Sequence, residues 1–379
     1  MAKDFSKKAL ALHKKLGGKL RIVPAAPIKN RNDLSLVYTP GVGAVSTFLA
    51  KHKEKTREYT MKGRTVAVIS DGSAVLGLGN IGPEGALPVM EGKAALFKTF
   101  ADIDAVPIVL ATQDPERIVE AICNIAPGFG GINLEDFAAP KCFEIERMVI
   151  ERLDIPVMHD DQHGTAIVVL AGLINALKVV KKKIETVRIV ISGAGAAGTA
   201  VAYLLRAAGA KHILVLDSKG MIGIHRENLT RHKTELAGFT NPENFAGGLR
   251  EALEGADVLI GVSGPGLAKA ADIKLMNKDA IVFALANPIP EIMPDEARKG
   301  GAAVIATGRS DFPNQLNNSL AFPGIFRGAI DHKVTRITET MKLKAAKALA
   351  ALIPKPTAGK ILTDMFDRRV APAVAKVIR

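Results

Sequence analysis

The segment Val187-Arg188-Ile189-Val190-Ile191-Ser192 runs without a break into Gly193-Ala194-Gly195-Ala196-Ala197-Gly198, and then into Thr199-Ala200-Val201-Ala202-Tyr203-Leu204-Leu205. A β-branched run, a G-x-G-x-x-G turn and an apolar helix-forming stretch, in that order, leave few folds open. They are the opening turn of a dinucleotide-binding parallel sheet. Gly193 permits the tight turn, Gly195 lets backbone approach a pyrophosphate, and Gly198 lets helix and strand pack closely. With Ala194, Ala196 and Ala197 they bring helix N-terminal amides to the phosphates. A second strand, His212-Ile213-Leu214-Val215-Leu216, ends in Asp217, about 20 residues on, where a carboxylate meets the adenosine ribose. A carboxylate accepting both ribose hydroxyls favours NAD over NADP. Lys219 leaves NADP possible, since an ammonium two residues on could reach a 2′-phosphate.

Short buried-type strands alternate with helical patterns along most of the chain, which predicts an α/β fold built on parallel sheets. In the first half the expected strands are 65–70, 106–110, 131–134 and 155–158, with helices over 115–125 and 140–152. Asp114 before Pro115 is a usual cap-then-first-turn start. A long helix is expected from about His163 to Val180. Beyond it lie strands at 187–192, 212–217, 257–263, 280–286 and 303–307, and then a helical tail broken by Pro354 and Pro356. The expected organisation is an N-terminal α/β substrate and metal domain (1–160), a Rossmann-type dinucleotide-binding domain (161–330) and a C-terminal helical tail (331–379). No Pro/Ser-rich linker divides the halves, so a cleft between them is expected.

Composition narrows the class. Of 379 residues 48% are hydrophobic and 23% charged, which excludes a disordered or collagen-like chain. Cys123 and Cys142 are the only cysteines, so there is no disulfide framework and a cytoplasmic location is expected. The start, Met1-Ala2-Lys3-Asp4-Phe5-Ser6-Lys7-Lys8, has no apolar stretch of the secretory kind. The longest charge-free apolar run, Ile189 to Leu205, is Gly-rich and short for a bilayer, so no membrane association is expected. Net charge is +13, from 51 basic and 38 acidic residues. The basic residues are dispersed, apart from Lys181–Lys183 and a set from Lys342 to Lys347 spaced like the wet face of a helix. With three Tyr, no Trp and no zinc-finger spacing, nucleic acid is not the expected partner. A dianionic acid and a phosphate-bearing cofactor use that charge better.

Four further segments put polar groups near strand ends. Tyr38-Thr39-Pro40-Gly41 presents one of the three tyrosines in a turn. In Glu91-Gly92-Lys93 the lysine is expected at the start of an apolar helix, where the dipole and burial would lower its pKa and suit a general base. Asn133-Leu134-Glu135-Asp136 and His159-Asp160-Asp161-Gln162-His163 each place two carboxylates after a strand. Glu135, Asp136 and Asp161 converging would make an oxygen cage for Mg²⁺ or Mn²⁺. His159 and His163 have the spacing of a zinc pair but straddle a strand-to-helix junction. Cys142 is expected to be an inert buried thiol.

These residues carry a family resemblance. Tyr38-Thr39-Pro40-Gly41-Val42, Leu76-Gly77-Leu78-Gly79-Asn80-Ile81-Gly82, Glu91-Gly92-Lys93, Asn133-Leu134-Glu135-Asp136-Phe137, Asp160-Asp161-Gln162-His163-Gly164-Thr165, Ala286-Asn287-Pro288 and 317–324 resemble malic enzyme, in order, over about residues 20–330. The resemblance implies oxidative decarboxylation of (S)-malate to pyruvate and CO₂ with a nicotinamide cofactor and a divalent metal. By the same resemblance Lys93 is the general base and Tyr38 the general acid, with Asp161 counted beside them. Glu135, Asp136 and Asp161 are the metal ligands, and Asn287 and Asn318 contact cofactor ribose or substrate carboxylate. Larger members carry a carboxylate-binding arginine just before Leu-Gly-Leu-Gly. Asp71-Gly72-Ser73-Ala74-Val75-Leu76 has none, which makes Ser73 and Asn318 the expected substitutes.

Two other functions fit the same motifs: a malolactic-type lyase that releases lactate, and a cofactor-binding regulator with a silent site. The carboxylate trio and Lys93 argue against the regulator. Chain size and the resemblance together make a homodimer the expected assembly.

Overall fold

The structure is a computed structural model that describes residues 5–75 and 77–379; Met1–Asp4 and Leu76 of the Leu-Gly-Leu-Gly segment lie outside the described residues. The chain opens with four helices, α1 (Ser6–Leu16), α2 (Arg31–Val37), α3 (Val42–Lys51) and α4 (Thr56–Tyr59). None of them buries a side chain. Phe5, Leu10, Ile22, Val23, Leu36 and Tyr38 are all exposed on this arm, with Ile22 fully so.

The first sheet contains β1 (Thr65–Ser70), β2 (Asp104–Val109), β3 (Gly131–Leu134) and β4 (Val157–His159), in the order β2-β1-β3-β4 and wholly parallel. Its crossovers are α5 (Gly82–Ala101), α6 (Pro115–Ile125) and α7 (Lys141–Arg152). The Asp114 side chain accepts from the Arg117 amide and caps α6, as its place before Pro115 predicts.

α8 (Asp160–Val180) follows β4 with no loop between them. It starts three residues earlier than its expected His163, so Asp160 and Asp161 fall in its first turn, where the dipole favours carboxylates. α8 is apolar and long enough to span a membrane by length and composition, but 67% of that stretch is buried inside the fold. Ile167, Val169, Leu170 and Leu173 share one core with Val66 and Val68 of the first sheet and with Ile189 and Val215 of the second. The helix is therefore the spine that joins the two sheets.

The second sheet holds β5 (Arg188–Ser192), β6 (His212–Asp217), β7 (Gly220–Met221), β8 (Val258–Gly261), β9 (Ile281–Ala284) and β10 (Val304–Thr307). Its order, β10-β9-β8-β5-β6-β7, is parallel except for the short β7, which folds back on β6. The 189–205 apolar run divides between β5 and α9 (Ala196–Ala207). Because β6 and β8 flank β5 on opposite sides, the chain changes direction at β5, and α/β sheets bind ligands at that crevice. The peripheral helices are α10 (Arg231–Ala237), α11 (Leu249–Leu253), α12 (Ala270–Ile273) and α13 (Pro294–Lys299).

The end of the chain forms α14 (Phe322–Asp331), α15 (Glu339–Ala351) and α16 (Val370–Ala375). Buried Asn175 of α8 donates to the Ala350 and Ile361 carbonyls, at 2.8 and 2.9 Å, and so fastens this tail to the spine. The expected wet face of α15 needs one correction. Lys344 and Lys347 are exposed, but Lys342 is half-buried toward Glu146 and Glu339, and burial lowers its pKa despite those carboxylates.

Candidate active site

The β3–β4 register sets the centre of the site. Leu134 lies beside His159, so the residues that follow each strand emerge side by side at the carboxyl edge. Glu135, Asp136 and Asp161 each offer an oxygen within 4.8 Å of the others. The Asp136 amide donates to Asp161 Oδ2 at 2.8 Å, and Asn133 Nδ2 donates to Glu135 Oε2 at 2.9 Å. Asp136 itself holds a left-handed backbone (φ 57°), which Asp tolerates better than most residues.

Lys93 enters this cluster from α5. Its ammonium lies 2.6 Å from Glu135 Oε1, touches Asp160 Oδ2, and sits 4.4 Å from the centre of the Phe322 ring. Two expectations for it are corrected. Lys93 is in the middle of α5, not at its start, so the helix dipole does not bear on it. Its pKa is raised, not lowered: burial alone would lower it, but the carboxylates of Asp160, Glu135 and Asp161 outweigh burial. Burial, and Asp161 beside it, push Glu135 well above the ordinary carboxylate range; burial raises Asp160 too. Both directions have one origin. Four carboxylates face one ammonium in a poorly hydrated pocket, so Lys93, Glu135 and Asp160 are all driven toward their protonated forms. That surplus of hard anionic oxygens is what a divalent cation relieves, and the three-oxygen set fits Mg²⁺ or Mn²⁺.

The cluster forms part of the wall of a cavity of about 880 Å³ between the two sheets. Asn287, Asn318, Gly195, Ala196 and Ala197 also line it, which brings those expected residues to one space with Lys93 and the trio. Gly77 explains part of this closure. A Cβ there would sit 2.2 Å from the Asn287 carbonyl oxygen, so a side chain would force the two motifs apart.

Two expected residues are elsewhere. Ser73 does not line the cavity. Its hydroxyl donates to Asp71 at 2.6 Å and accepts from the Ala138 amide at 2.9 Å, which ties two loops together. Tyr38 is 65% exposed on the N-terminal arm and is also absent from the cavity wall. Conversely, sequence reasoning missed Lys19 and Thr165. Lys19 lines the cavity, with its ammonium 2.5 Å from the Pro88 carbonyl and its amide 3.1 Å from Glu91. The absence of an arginine before Leu-Gly-Leu-Gly was a signal to look for another cation, but nothing in the sequence singled out this one.

The histidines do not form a zinc pair. His163 Nε2 is 3.0 Å from Glu146, and burial lowers the His163 pKa while Glu146 is held at about 2 despite its burial, chiefly by His163. The Cys142 thiol is fully enclosed and pushed by burial up to about 12, so it is inert.

The dinucleotide turn has the expected form. Gly193 donates to the Leu216 carbonyl, and a Cβ on Gly198 would meet the Gly193 oxygen at 1.8 Å. Gly195 caps α9 and has open space in front of it. Gly193, Ala194, Gly195 and Asp217 line a second cavity of about 700 Å³, which shares Gly195, Val262 and Ser263 with the first. The pair makes a trough long enough to run from the β6 end to the carboxylates, which fits a dinucleotide. At its far end Asp217 is not free to await a ribose. Arg226, Lys233 and the Lys219 amide all donate to it, and hold it at about 2 against the effect of burial.

A family model described as "Malic enzyme, N-terminal domain" matches residues 17–149, and one described as "Malic enzyme, NAD binding domain" matches residues 162–377. The chain belongs to the malic enzyme family. It is 52% identical over 379 residues to the NAD-dependent malic enzyme of Geobacillus stearothermophilus, covering 99% of this chain and 78% of that one. It is equally similar, 52% over 378 residues, to the bifunctional malic/malolactic enzyme of Bacillus subtilis, covering 99% and 92%. Its fold matches the crystal structure of the NAD-dependent malic enzyme of Thermotoga maritima with a TM-score of 0.94, at 50% identity and 98% coverage of each chain. Membership in the malic enzyme family therefore agrees with the motifs quoted above and with the two-sheet architecture.

Proposed function

We propose that this chain converts (S)-malate to pyruvate and CO₂ with reduction of NAD⁺, supported by a divalent cation. The observation that carries the reading is the gathering of Glu135, Asp136 and Asp161 within 4.8 Å of one another, beside Lys93 and on the same cavity as Gly195. The relative from Geobacillus stearothermophilus, named as NAD-dependent, supports the choice of cofactor.

Gly193, Gly195 and the start of α9 would hold the cofactor's pyrophosphate, and the bound cofactor would supply a nicotinamide as hydride acceptor. Glu135, Asp136 and Asp161 would hold a divalent cation, which would supply a Lewis acid for the substrate oxygens and offset the carboxylates around Lys93. Lys93 then takes the C2 hydroxyl proton as the C2–H bond breaks, and Glu135 and Asp160 hold the ammonium so formed. After the C4 carboxylate leaves as CO₂, the Tyr38 hydroxyl delivers a proton to C3. Asn318 donates to a substrate carboxylate, and Asn287 to the cofactor ribose. The site straddles the boundary at residue 160, so the 1–160 and 161–330 units act as one enzyme, with 331–379 bracing α8 from behind.

Lys19 takes the place of the absent arginine. A cation on the departing C4 carboxylate would stabilise the ground state and oppose its loss, so Lys19 is assigned to the retained C1 carboxylate. Lys19→Ala is expected to raise the KM for malate roughly tenfold to a hundredfold with a smaller change in kcat. An unchanged KM would remove Lys19 from the site.

The exposed apolar arm supports a homodimer, because apolar patches of this kind are covered in stable proteins. Tyr38 stands on that arm and off its own cavity, so its proton is assigned to the cavity of the second copy.

A second reading, conversion of malate to lactate with the cofactor retained, has the support of the bifunctional Bacillus subtilis relative. Product analysis separates the two. With malate, NAD⁺ and Mn²⁺, pyruvate and NADH are expected in equal amounts; lactate without net NADH would replace the first reading by the second.

A further inference from the structure

Ser73, off the cavity wall, belongs to a chain of polar contacts that ends on the loop carrying two of the three carboxylates. Lys141, the first residue of α7, donates through Nζ to Asp71 Oδ2 at 2.5 Å, and Asp71 is wholly buried. Asp71 Oδ1 accepts from the Ser73 hydroxyl at 2.6 Å and from the Ser73 amide at 3.0 Å. A hydroxyl has one proton to give. With that proton committed to the carboxylate, its lone pairs are left for the Ala138 amide, which donates to it at 2.9 Å. The next residue, Ala74, donates its own amide to the Asp136 carbonyl at 2.9 Å. Residues 73 and 74 therefore grip the 135–138 segment at two points, on either side of Phe137.

That segment needs holding. Asp136 is left-handed, at φ 57°, a conformation that persists only where the surroundings determine it. Its carboxylate and that of Glu135 also stand within 4.8 Å of Asp161, and like charges so close repel one another before any cation arrives. We infer that Ser73 is a positioning residue for the carboxylate cage. Its hydroxyl, oriented by Asp71 and Lys141, holds the 135–138 loop in the shape that lets Glu135 and Asp136 share one divalent cation with Asp161.

The inference rests on the trio being a metal site, and its test separates the two claims. Mn²⁺ is titrated into the full chain and followed by electron paramagnetic resonance. Ser73→Ala is expected to weaken binding by roughly tenfold to a hundredfold, the usual effect of losing a partner behind a metal ligand. Ser73→Thr, which keeps the hydroxyl, should stay within a few-fold of wild type. Ser73→Cys, close in shape but a poor acceptor, should follow alanine, and serves in its place if alanine folds badly. Ile122→Val thins the core shared by Ile69, Leu134 and Phe137; it controls for lost stability and should leave the affinity unchanged. Ser73→Ala binding as tightly as wild type, or Ile122→Val losing as much as Ser73→Ala, would overturn the inference and leave the metal centre in place. No bound ion in wild type would overturn both.

Discussion

Replacing Lys93 by arginine is expected to leave a folded protein whose malate turnover is lower by roughly 10²–10⁴, the usual contribution of a positioned proton acceptor. The arginine keeps a positive charge between Glu135 and Asp160 but cannot be deprotonated in a protein, so charge and proton transfer are separated. Alanine tests the same idea less cleanly. It leaves buried carboxylates unpaired, and breaking such a pair costs about 3–5 kcal/mol. Lys93→Ala should therefore lose activity and melt at a lower temperature, whereas Lys93→Arg should lose activity and melt close to wild type. Turnover by Lys93→Arg within a few-fold of wild type would assign the proton to another group and leave Lys93 as an ion-pair partner.

The second large effect concerns Tyr38. Tyr38→Phe and Lys93→Arg, each inactive alone, are expected to regain activity when their subunits are mixed and allowed to reassort. If each cavity takes its tyrosine from the other copy, a mixed dimer has one cavity with both Lys93 and Tyr38 intact and one with neither. Random pairing makes roughly half the dimers mixed, with one working cavity in two, so recovery should approach roughly a quarter of wild-type activity. A mixture as inactive as its components would place both groups in one chain, or leave Tyr38 outside the reaction. The same experiment probes the arm. Leu36→Lys, on the exposed face of α2, should shift the protein toward monomer in sedimentation and abolish the recovery.

The sheets were legible because parallel strands buried on both faces are written as apolar runs. Thr65–Ser70 and Gly131–Leu134 begin and end where the sequence suggested. The two-residue β7 left no such run. The carboxylate trio was legible because residues just past parallel strands share one edge. What lay beyond reach were side-chain pairings across loops. The environment of Lys93 is set not by its neighbours in the chain but by Asp160, 67 residues away. Asp217 had a familiar position, but its character depends on Arg226, in the loop after β7, and Lys233, in α10, neither of which its own strand reveals. Lys19 reaches the cavity only because its segment crosses α5 at Glu91, a contact with no periodicity to betray it. Ser73 stands off the cavity wall, its hydroxyl bonded to the buried aspartate two residues before it.

One cation held by Glu135, Asp136 and Asp161 is the centre of the proposed chemistry. Titration of Mn²⁺ into the full chain, followed by electron paramagnetic resonance, tests this directly. The expected result is one tightly bound ion per chain, with most of that affinity lost in Glu135→Gln and in Asp161→Asn while both variants remain folded. Mn²⁺ binding of equal strength in wild type and both variants, or no bound ion in wild type, would contradict it.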